Sequence, residues 1–250
     1  MASAAVRERL TKLQTFIAWS VLLLALSTLA KAQTVDDVIN KYIDAIGGRA
    51  VIASLQSLRI EGALNVMGSD LSYKATVVNG KAFKSETSVY ETAVIQCITD
   101  TGGWTFNPML GQSSPEALPA DVVKAKRSSI YVAGPLVDYK SKGYSAVLIG
   151  REDVDGVSAY KIHLFDDGGT DAMYYIDPNT YFPLRSITHS KVNGSDVPTS
   201  TIFSDYQKTP NGYTMPYKTT FAFETASNIL TYSKVTFNQN NDPQICAMPK

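Results

Sequence analysis

Apolar residues recur at helical spacing just after position 33. They fall on one face of a helix and comprise Val35, Val38, Ile39, Tyr42, Ile43 and Ile46. Thr34 with Asp37 three residues later is a capping-box-like start, and Gly47-Gly48 is a typical helix stop. A short apolar group, Val51, Ile52 and Leu55, predicts another helical turn or two. The pattern therefore predicts an amphipathic helix with one face in a core.

From residue 57 the period changes to two, which indicates β-strands. The first two strands carry Leu58, Ile60, Leu64 and Val66, then Leu71, Tyr73, Ala75 and Val77. Turn signals separate the later strands and lie at Asn79-Gly80, Asp155-Gly156, Gly168-Gly169, Asp177-Pro178, Asn193-Gly194 and Asn211-Gly212. Residues 115–142 lose the alternation and are predicted to be partly helical. The pattern predicts an α+β domain of about ten or eleven antiparallel strands that folds over on itself or wraps around its helices.

Aromatic residues are concentrated on several of these strands. In "YTMPYKTTFAF", residues 213–223, one face carries Tyr213, Met215, Tyr217, Phe221 and Phe223. In "YYIDPNTYFPL", residues 174–184, four rings surround a turn formed by Asp-Pro-Asn. Such stripes are usually packed core, and the alternative is a concave apolar binding surface.

Residues 1–32 have the pattern of a secretory signal peptide. Arg7, Arg9 and Lys12 precede the fifteen-residue apolar run "FIAWSVLLLALSTLA", and the small-residue site Ala30-Lys31-Ala32 follows. The run is shorter than the roughly 20 residues of a membrane-spanning helix, although an uncleaved anchor is the alternative. We expect cleavage after Ala32, export, and one domain over residues 33–250.

Charge and cysteine content exclude several classes. Residues 33–250 carry 19 basic and 22 acidic residues, a balance that argues against nucleic acid. The two cysteines, Cys97 and Cys246, are too few for a disulfide scaffold and lack metal-ligand spacing. Either they form a bridge, as an exported protein allows, or Cys97, which lies in an apolar run, is a small buried apolar residue.

No enzyme motif is found after residue 32, neither GxSxG nor HExxH nor a P-loop. His163 and His189 lie in predicted strands away from metal-ligand partners, so we interpret both as structural. "FDDGGTD", residues 165–171, has carboxylates for calcium but not the spacing of an EF-hand, and a hairpin tip is the simpler interpretation. We expect no enzyme, cofactor or metal; a hydrolase with an unrecognised site is an alternative.

Four stretches together resemble the outer-membrane lipoprotein-sorting, LolA-like family. They are "GGWTFNPMLG", "GPLVDYKSKGYSAVLIGREDVDGVSAYKIHL", "YYIDPNTYFPLRS" and "SDYQKTPNGYTMPY". The resemblance implies an incomplete, strongly curved antiparallel β-barrel whose open side is covered by helices, with acyl chains bound between them. Trp104, Phe106 and Pro108 match the family's Trp-aromatic-Pro strand, and "GPLVDY", which contains Leu136, matches its central lid. Arg59 is the candidate for the family's lid-latching arginine.

The resemblance implies a periplasmic carrier for acyl chains of lipoproteins or lipids. Its partners would be an inner-membrane donor and an outer-membrane acceptor, and it would act as a monomer. The alternative is an envelope-stress sensor that uses the same fold to bind a protein partner. The expected ligand-binding residues are Trp104, Phe106, Tyr160, Tyr174, Tyr175, Tyr213, Met215, Tyr217, Phe221 and Phe223.

Overall fold

A computed structural model describes residues 33–192, 195–223, 226–239 and 242–249. The predicted signal peptide and the Asn193-Gly194 turn lie outside these residues. From Val35 onward the chain forms one compact unit. Within the described ranges, no helix is long and apolar enough to cross a membrane.

The predicted N-terminal helix is present as α1 (Val35–Ala45), and its apolar face is buried as expected. A short helix, α2 (Gly48–Ala53), follows. Gly47 separates the two with φ +125°, and a Cβ there would lie 2.7 Å from the Gly212 carbonyl oxygen. Only glycine fits this backbone and this close approach, which explains why the helix ends here.

Among the remaining described residues, one antiparallel sheet of thirteen strands is the main element. Their bounds are β1 (Ser57–Val66), β2 (Ser69–Val78), β3 (Ala82–Val89), β4 (Thr92–Thr99), β5 (Gly103–Phe106), β6 (Glu116–Ala117), β7 (Ser145–Val154), β8 (Val157–Phe165), β9 (Asp171–Ile176), β10 (Pro183–Val192), β11 (Ser195–Lys208), β12 (Thr214–Ala222) and β13 (Ser227–Phe237). The spatial order is β6-β5-β4-β3-β2-β1-β13-β12-β11-β10-β9-β8-β7. Only the β1–β13 pairing departs from sequence order.

The predicted count of ten or eleven strands was wrong, for two reasons. Strand β6 has two residues, too few to show an alternation, and it lies inside the stretch predicted to be partly helical. Strands β12 and β13 are joined by residues 223–226, which contain no glycine or proline to mark a turn. Alternation alone does not separate two strands when no turn residue lies between them.

The sheet is curved and open. Strands β2 and β8 lie seven places apart in the sheet, yet both contribute to the same core cluster as α1. In a flat sheet they would be separated by roughly 30 Å, so the sheet must curve around the helix. Strands β6 and β7 form the two ends of the strand order, so the described sheet does not close into a barrel.

The stretch predicted to be partly helical contains several short elements. Strand β6 is followed by α3 (Ala120–Lys126) and by 3₁₀ helices at Arg127–Ile130 and Tyr139–Lys142. We call residues 131–144 the cover segment, because its residues Leu136 and Val137 are buried in the same cluster as α1. The expected helical cover is therefore present only in part, as α1, α2 and this segment.

The two faces of the sheet carry separate cores. The inner face packs against α1 and the cover segment. The outer face carries two smaller clusters, one around Trp104 and one around Tyr175. A disulfide joins Cys97 to Cys246 and holds the C-terminal 3₁₀ helix, Pro243–Cys246, over the Trp104 cluster. Of the two interpretations of the cysteines, the bridge is the one that the structure shows.

Candidate functional site

Four of the ten predicted site residues lie together on the inner face beneath the helices. Tyr160, Tyr213 and Met215 are 5–6% exposed, and Tyr174 packs against the same cluster. Burial raises the pKa of both Tyr174 and Tyr213 well above the ordinary tyrosine value. In this conformation Tyr160, Tyr213 and Met215 are packed core, and Tyr174 packs against it.

Three predicted site residues lie on the outer face, away from the others. Trp104 and Phe106 pack with the disulfide, and the Trp104 indole donates a hydrogen bond to the Cys246 carbonyl oxygen at 2.8 Å. Tyr175 belongs to the other outer cluster. Neighbouring strand residues point to opposite faces, so Tyr174 and Tyr175 cannot both face the inner side. The structure thus separates these three residues from the predicted site.

The inner face also has an aromatic area that is only half-buried. Tyr217 and Phe221 share this face with the buried residues Met215 and Thr219, because they alternate along β12. Three further half-buried rings lie on the same face in neighbouring strands. We call these five residues the open patch: Tyr73, Phe203, Tyr217, Phe221 and Tyr232.

Strand register brings these rings together. Gly62 is paired with Tyr73 on one side and with Tyr232 on the other. A Cβ on Gly62 would lie 2.2 Å from the Thr231 carbonyl oxygen, so only glycine is accommodated between the two tyrosines. The rings of Tyr217 and Tyr232 are 6.2 Å apart in an edge-on arrangement. The patch therefore extends across five adjacent strands, from β2 through β1, β13 and β12 to β11.

The predicted site and the open patch share Tyr217 and Phe221. Phe203 and Tyr232 are not among the predicted residues, and Tyr73 was predicted on a strand face but not in the site. The signal for Tyr232 is obscured by a register shift between β1 and β13, which leaves Ser233 outside the pairing. Phe223 lies just beyond the end of β12 and is 46% exposed, so it borders the patch at the hairpin turn.

Hydrogen bonds attach the cover segment to α1 and to the chain just before β12, and its residue Leu136 is buried in the inner cluster. Leu136 is 2% exposed, and the hydroxyls of Tyr42 and Tyr213 donate to the carbonyl oxygens of Ala133 and Val132 at 3.2 and 3.3 Å. Leu136 thus lies in the segment that the resemblance marked as the lid.

Side-chain contacts at the surface complete this attachment. Asp36 accepts hydrogen bonds from Lys140 at 2.8 Å and Tyr139 at 2.9 Å, and these bonds lower the pKa of its carboxyl group. Arg49 on α2 pairs with Asp138 at 2.7 Å. Both ion pairs are exposed, and exposed pairs contribute only about 0–1 kcal/mol each.

The predicted latch residue, Arg59, is placed elsewhere. It alternates with Leu58 and Ile60, which face the inner core, so its side chain lies on the outer face. There its guanidinium lies 3.6 Å from the Glu61 carboxylate. Among the described residues, it is Arg49 that pairs with a carboxylate of the cover segment.

Two clefts border the cover segment. The larger, of about 500 Å³, lies between α2, the β2–β3 turn and the cover segment. The smaller, of about 400 Å³, lies between α1 and the cover segment, and both clefts include Arg49, Asp138 and Ser141. Both combine apolar and charged walls, and none of the ten predicted ligand-binding residues lines either cleft.

The histidine and aspartate candidates have local partners. His163 lies 2.8 Å from the Asp171 carboxylate across neighbouring strands. Asp166 accepts from the backbone and the hydroxyl of Thr170, which is the bonding of a turn residue. No group of three or more potential metal ligands is found within the part of the chain that the structure describes.

Solved structures show which class of fold this is. A LolA superfamily protein from Nitrosomonas europaea aligns over 86% of this chain and 98% of its own, with a TM-score of 0.59 and 14% identity. A domain provisionally assigned to outer membrane lipoprotein sorting, from Vibrio parahaemolyticus, aligns over 82% and 93%, with a TM-score of 0.53 and 13% identity.

A third similar structure is a DUF1329 family protein from Desulfovibrio piger. It aligns over 84% of this chain and 95% of its own, with a TM-score of 0.56 and 14% identity. No protein-family model and no curated protein matches the chain. The resemblance in the sequence is thus confirmed at the level of the fold, which is LolA-like.

Proposed function

We propose that this protein is a non-catalytic periplasmic carrier that holds the acyl chains of lipoproteins or lipids against the open patch. The observation that supports this function best is the set of five half-buried rings on the inner face. Three of these rings, Tyr73, Tyr217 and Tyr232, pack against the edge of the inner core, but all five remain partly exposed, whereas an ordinary solvated face would carry polar residues.

The driving force would be removal of acyl methylenes from water, about 0.8 kcal/mol for each CH₂ buried. About eight methylenes on the patch would contribute roughly 6 kcal/mol before the cost of ordering the chain. Such binding needs no specific polar contact, so different acylated cargo could be held. The LolA-like fold supports the same assignment.

Transfer of acylated cargo would require partner proteins and a displacement of the cover segment. An inner-membrane donor would load the protein and an outer-membrane acceptor would unload it, with the protein acting as a monomer. The buried residues under the cover segment, Tyr213 and Met215 among them, adjoin the patch through β12. Displacement of the cover segment would extend the apolar surface toward them, so longer chains would be accommodated by opening.

Native mass spectrometry of the protein expressed with residues 1–32 tests the proposal. We expect a soluble periplasmic protein that begins at Gln33 and carries additional mass in the lipid range, which organic solvent removes. An unliganded mass after gentle purification, with no uptake of added lipid, would contradict the carrier function. Recovery in the membrane pellet with residues 1–32 attached would contradict the periplasmic assignment.

A further inference from the structure

The larger cleft has an uneven charge distribution. Its charged lining residues are Arg49, Arg127, Lys142 and Asp138, three cations against one carboxylate. Arg127 is also paired at 2.8 Å with Asp100, which lies outside the lining. The Lys142 ammonium donates to the carbonyl oxygens of Gly134 and Val137, and no ion pair joins it to a carboxylate of the described residues. Within the described part of the chain, the cleft therefore retains one cation that is not paired with a carboxylate.

Part of the cleft lining is apolar and belongs to the inner core. This part consists of Ile52 on α2 and Tyr131, Ala133 and Val137 of the cover segment. Ala133 and Val137 are 7% and 4% exposed and belong to the inner cluster. The Tyr131 ring faces the Lys142 ammonium at 4.3 Å. Charge at the surface and apolar side chains beneath it are the two environments that an anionic amphiphile requires.

We propose that this cleft binds the anionic head group of an amphiphile, with Arg49, Arg127 and Lys142 around a phosphate-type group. The proposal rests on the proposed function, because it defines which lipids the carrier prefers, but the head-group site can bind an anion without an acyl chain. A volume of about 500 Å³ is sufficient for such a group. Arginine and lysine are the side chains that phosphate groups favour.

The charge balance provides variants that act in opposite directions. Arg49→Gln removes a cation from the cleft and should weaken anion binding about five- to tenfold. Asp138→Asn removes the only carboxylate in the lining and should strengthen it by a similar factor. Asp138 has φ +49°, a conformation that asparagine also tolerates, so the backbone is preserved. A purely structural ion pair would give two losses, because either change breaks the same contact.

The matched control is Lys124→Gln on α3. It removes one positive charge from an exposed residue outside the cleft lining, so it should leave anion binding within twofold of wild type. The probes are dihexanoyl phosphatidylglycerol, dihexanoyl phosphatidylcholine and dimethyl phosphate. The first two share their acyl chains and differ in net charge, and the third has the charged group without chains.

Calorimetric titration of each probe separates the possible results. We expect the anionic lipid to bind more tightly than the zwitterionic one. Arg49→Gln should weaken and Asp138→Asn should strengthen its binding. Dimethyl phosphate should bind more weakly, with the three proteins in the same order of affinity. If dimethyl phosphate binds with the expected effects of the variants and neither lipid binds, the anion site would be supported and acyl binding contradicted. Equal affinity for both lipids, unchanged by either variant, would overturn the head-group site while leaving the carrier function in place. No binding of any probe would overturn both.

Discussion

Replacement of Tyr217 by lysine tests whether the open patch is a binding surface or a part of the core. Tyr217 is half-buried, and its ring contacts Tyr232 in an edge-on pair. Burial, then the charge of Asp205, raises the pKa of its hydroxyl. A lysine stem can lie along the same surface and extend its ammonium into water. The lost ring pair and part of the lost apolar area should lower the free energy of unfolding by about 1–2 kcal/mol.

Met215→Lys is the matched change on the same strand and the same face. Met215 is 6% exposed and lies within the inner cluster. Its replacement would bury an ammonium without a partner in addition to the lost packing, and should cost about 4 kcal/mol or more. Thr220→Lys adds the same charge on the outer face of β12 and should change stability by about 0.5 kcal/mol at most. Urea unfolding of the three variants measures these differences.

Acyl binding should separate the variants further. A charge on the patch would displace about three methylenes, a loss near 2.4 kcal/mol, which is more than tenfold in Kd. Tyr217→Lys should therefore fold cooperatively and lose affinity for a fluorescent fatty acid, while Thr220→Lys binds normally. If Tyr217→Lys unfolds as Met215→Lys does, the residue belongs to the core. If it folds and binds the probe unchanged, the patch is not the site.

Three further predictions concern the cover segment and the C-terminus. Because the pKa of Asp36 is lowered in the folded state, its contacts stabilise the fold fully above pH 3.8, the ordinary pKa of an aspartate, and this stabilisation is lost as the pH falls through the folded pKa. The difference in free energy of unfolding between wild type and Asp36→Asn should therefore shrink below about pH 4. Burial lowers the pKa of Lys142 from 10.5 to about 8, so between pH 8 and 10.5 the unfolded state binds more protons than the folded state. Wild type should therefore gain stability relative to Lys142→Met as the pH rises from 7.5 to 9.5, which urea unfolding at these two pH values measures. A stability difference that stays constant would contradict this prediction. Cys246→Ser should lower the free energy of unfolding by about 2–4 kcal/mol and shift Trp104 emission to the red, and unchanged emission would show that the C-terminal segment stays in place without the bridge.

Local patterns predicted the elements of this fold well. The helical spacing of Val38, Tyr42 and Ile46 requires one apolar face, and Gly47 ends the helix because no side chain fits there. The alternation of apolar and polar residues predicted the strands, because each strand has one buried and one more exposed side. These are properties of neighbouring residues, and a sequence contains them directly.

Membership of the site could not be predicted as well, because it depends on which face of each strand is the inner one. Alternation shows that Trp104 and Phe106 share a face, but not that the C-terminal segment covers it. The cysteines are 149 residues apart in sequence and their Cα atoms 5.5 Å apart in the structure. That proximity depends on where the C-terminal 3₁₀ helix packs on the outer face of the sheet, which no local pattern contains.

The lengths of the elements explain why an open patch exists on the inner face. Helix α1 has 11 residues and is about 16 Å long, whereas β1 and β2 have 10 residues each and extend about 33 Å. Even if it lay parallel to the strands, a helix of this length would cover only about half of their length. In β1 and β2 the buried inner residues are Leu58, Ile60, Ala75 and Val77. Tyr73 and Tyr232 lie next along the inner face, opposite Gly62, and are only half-buried, whereas Leu230 at the following inward position is again buried.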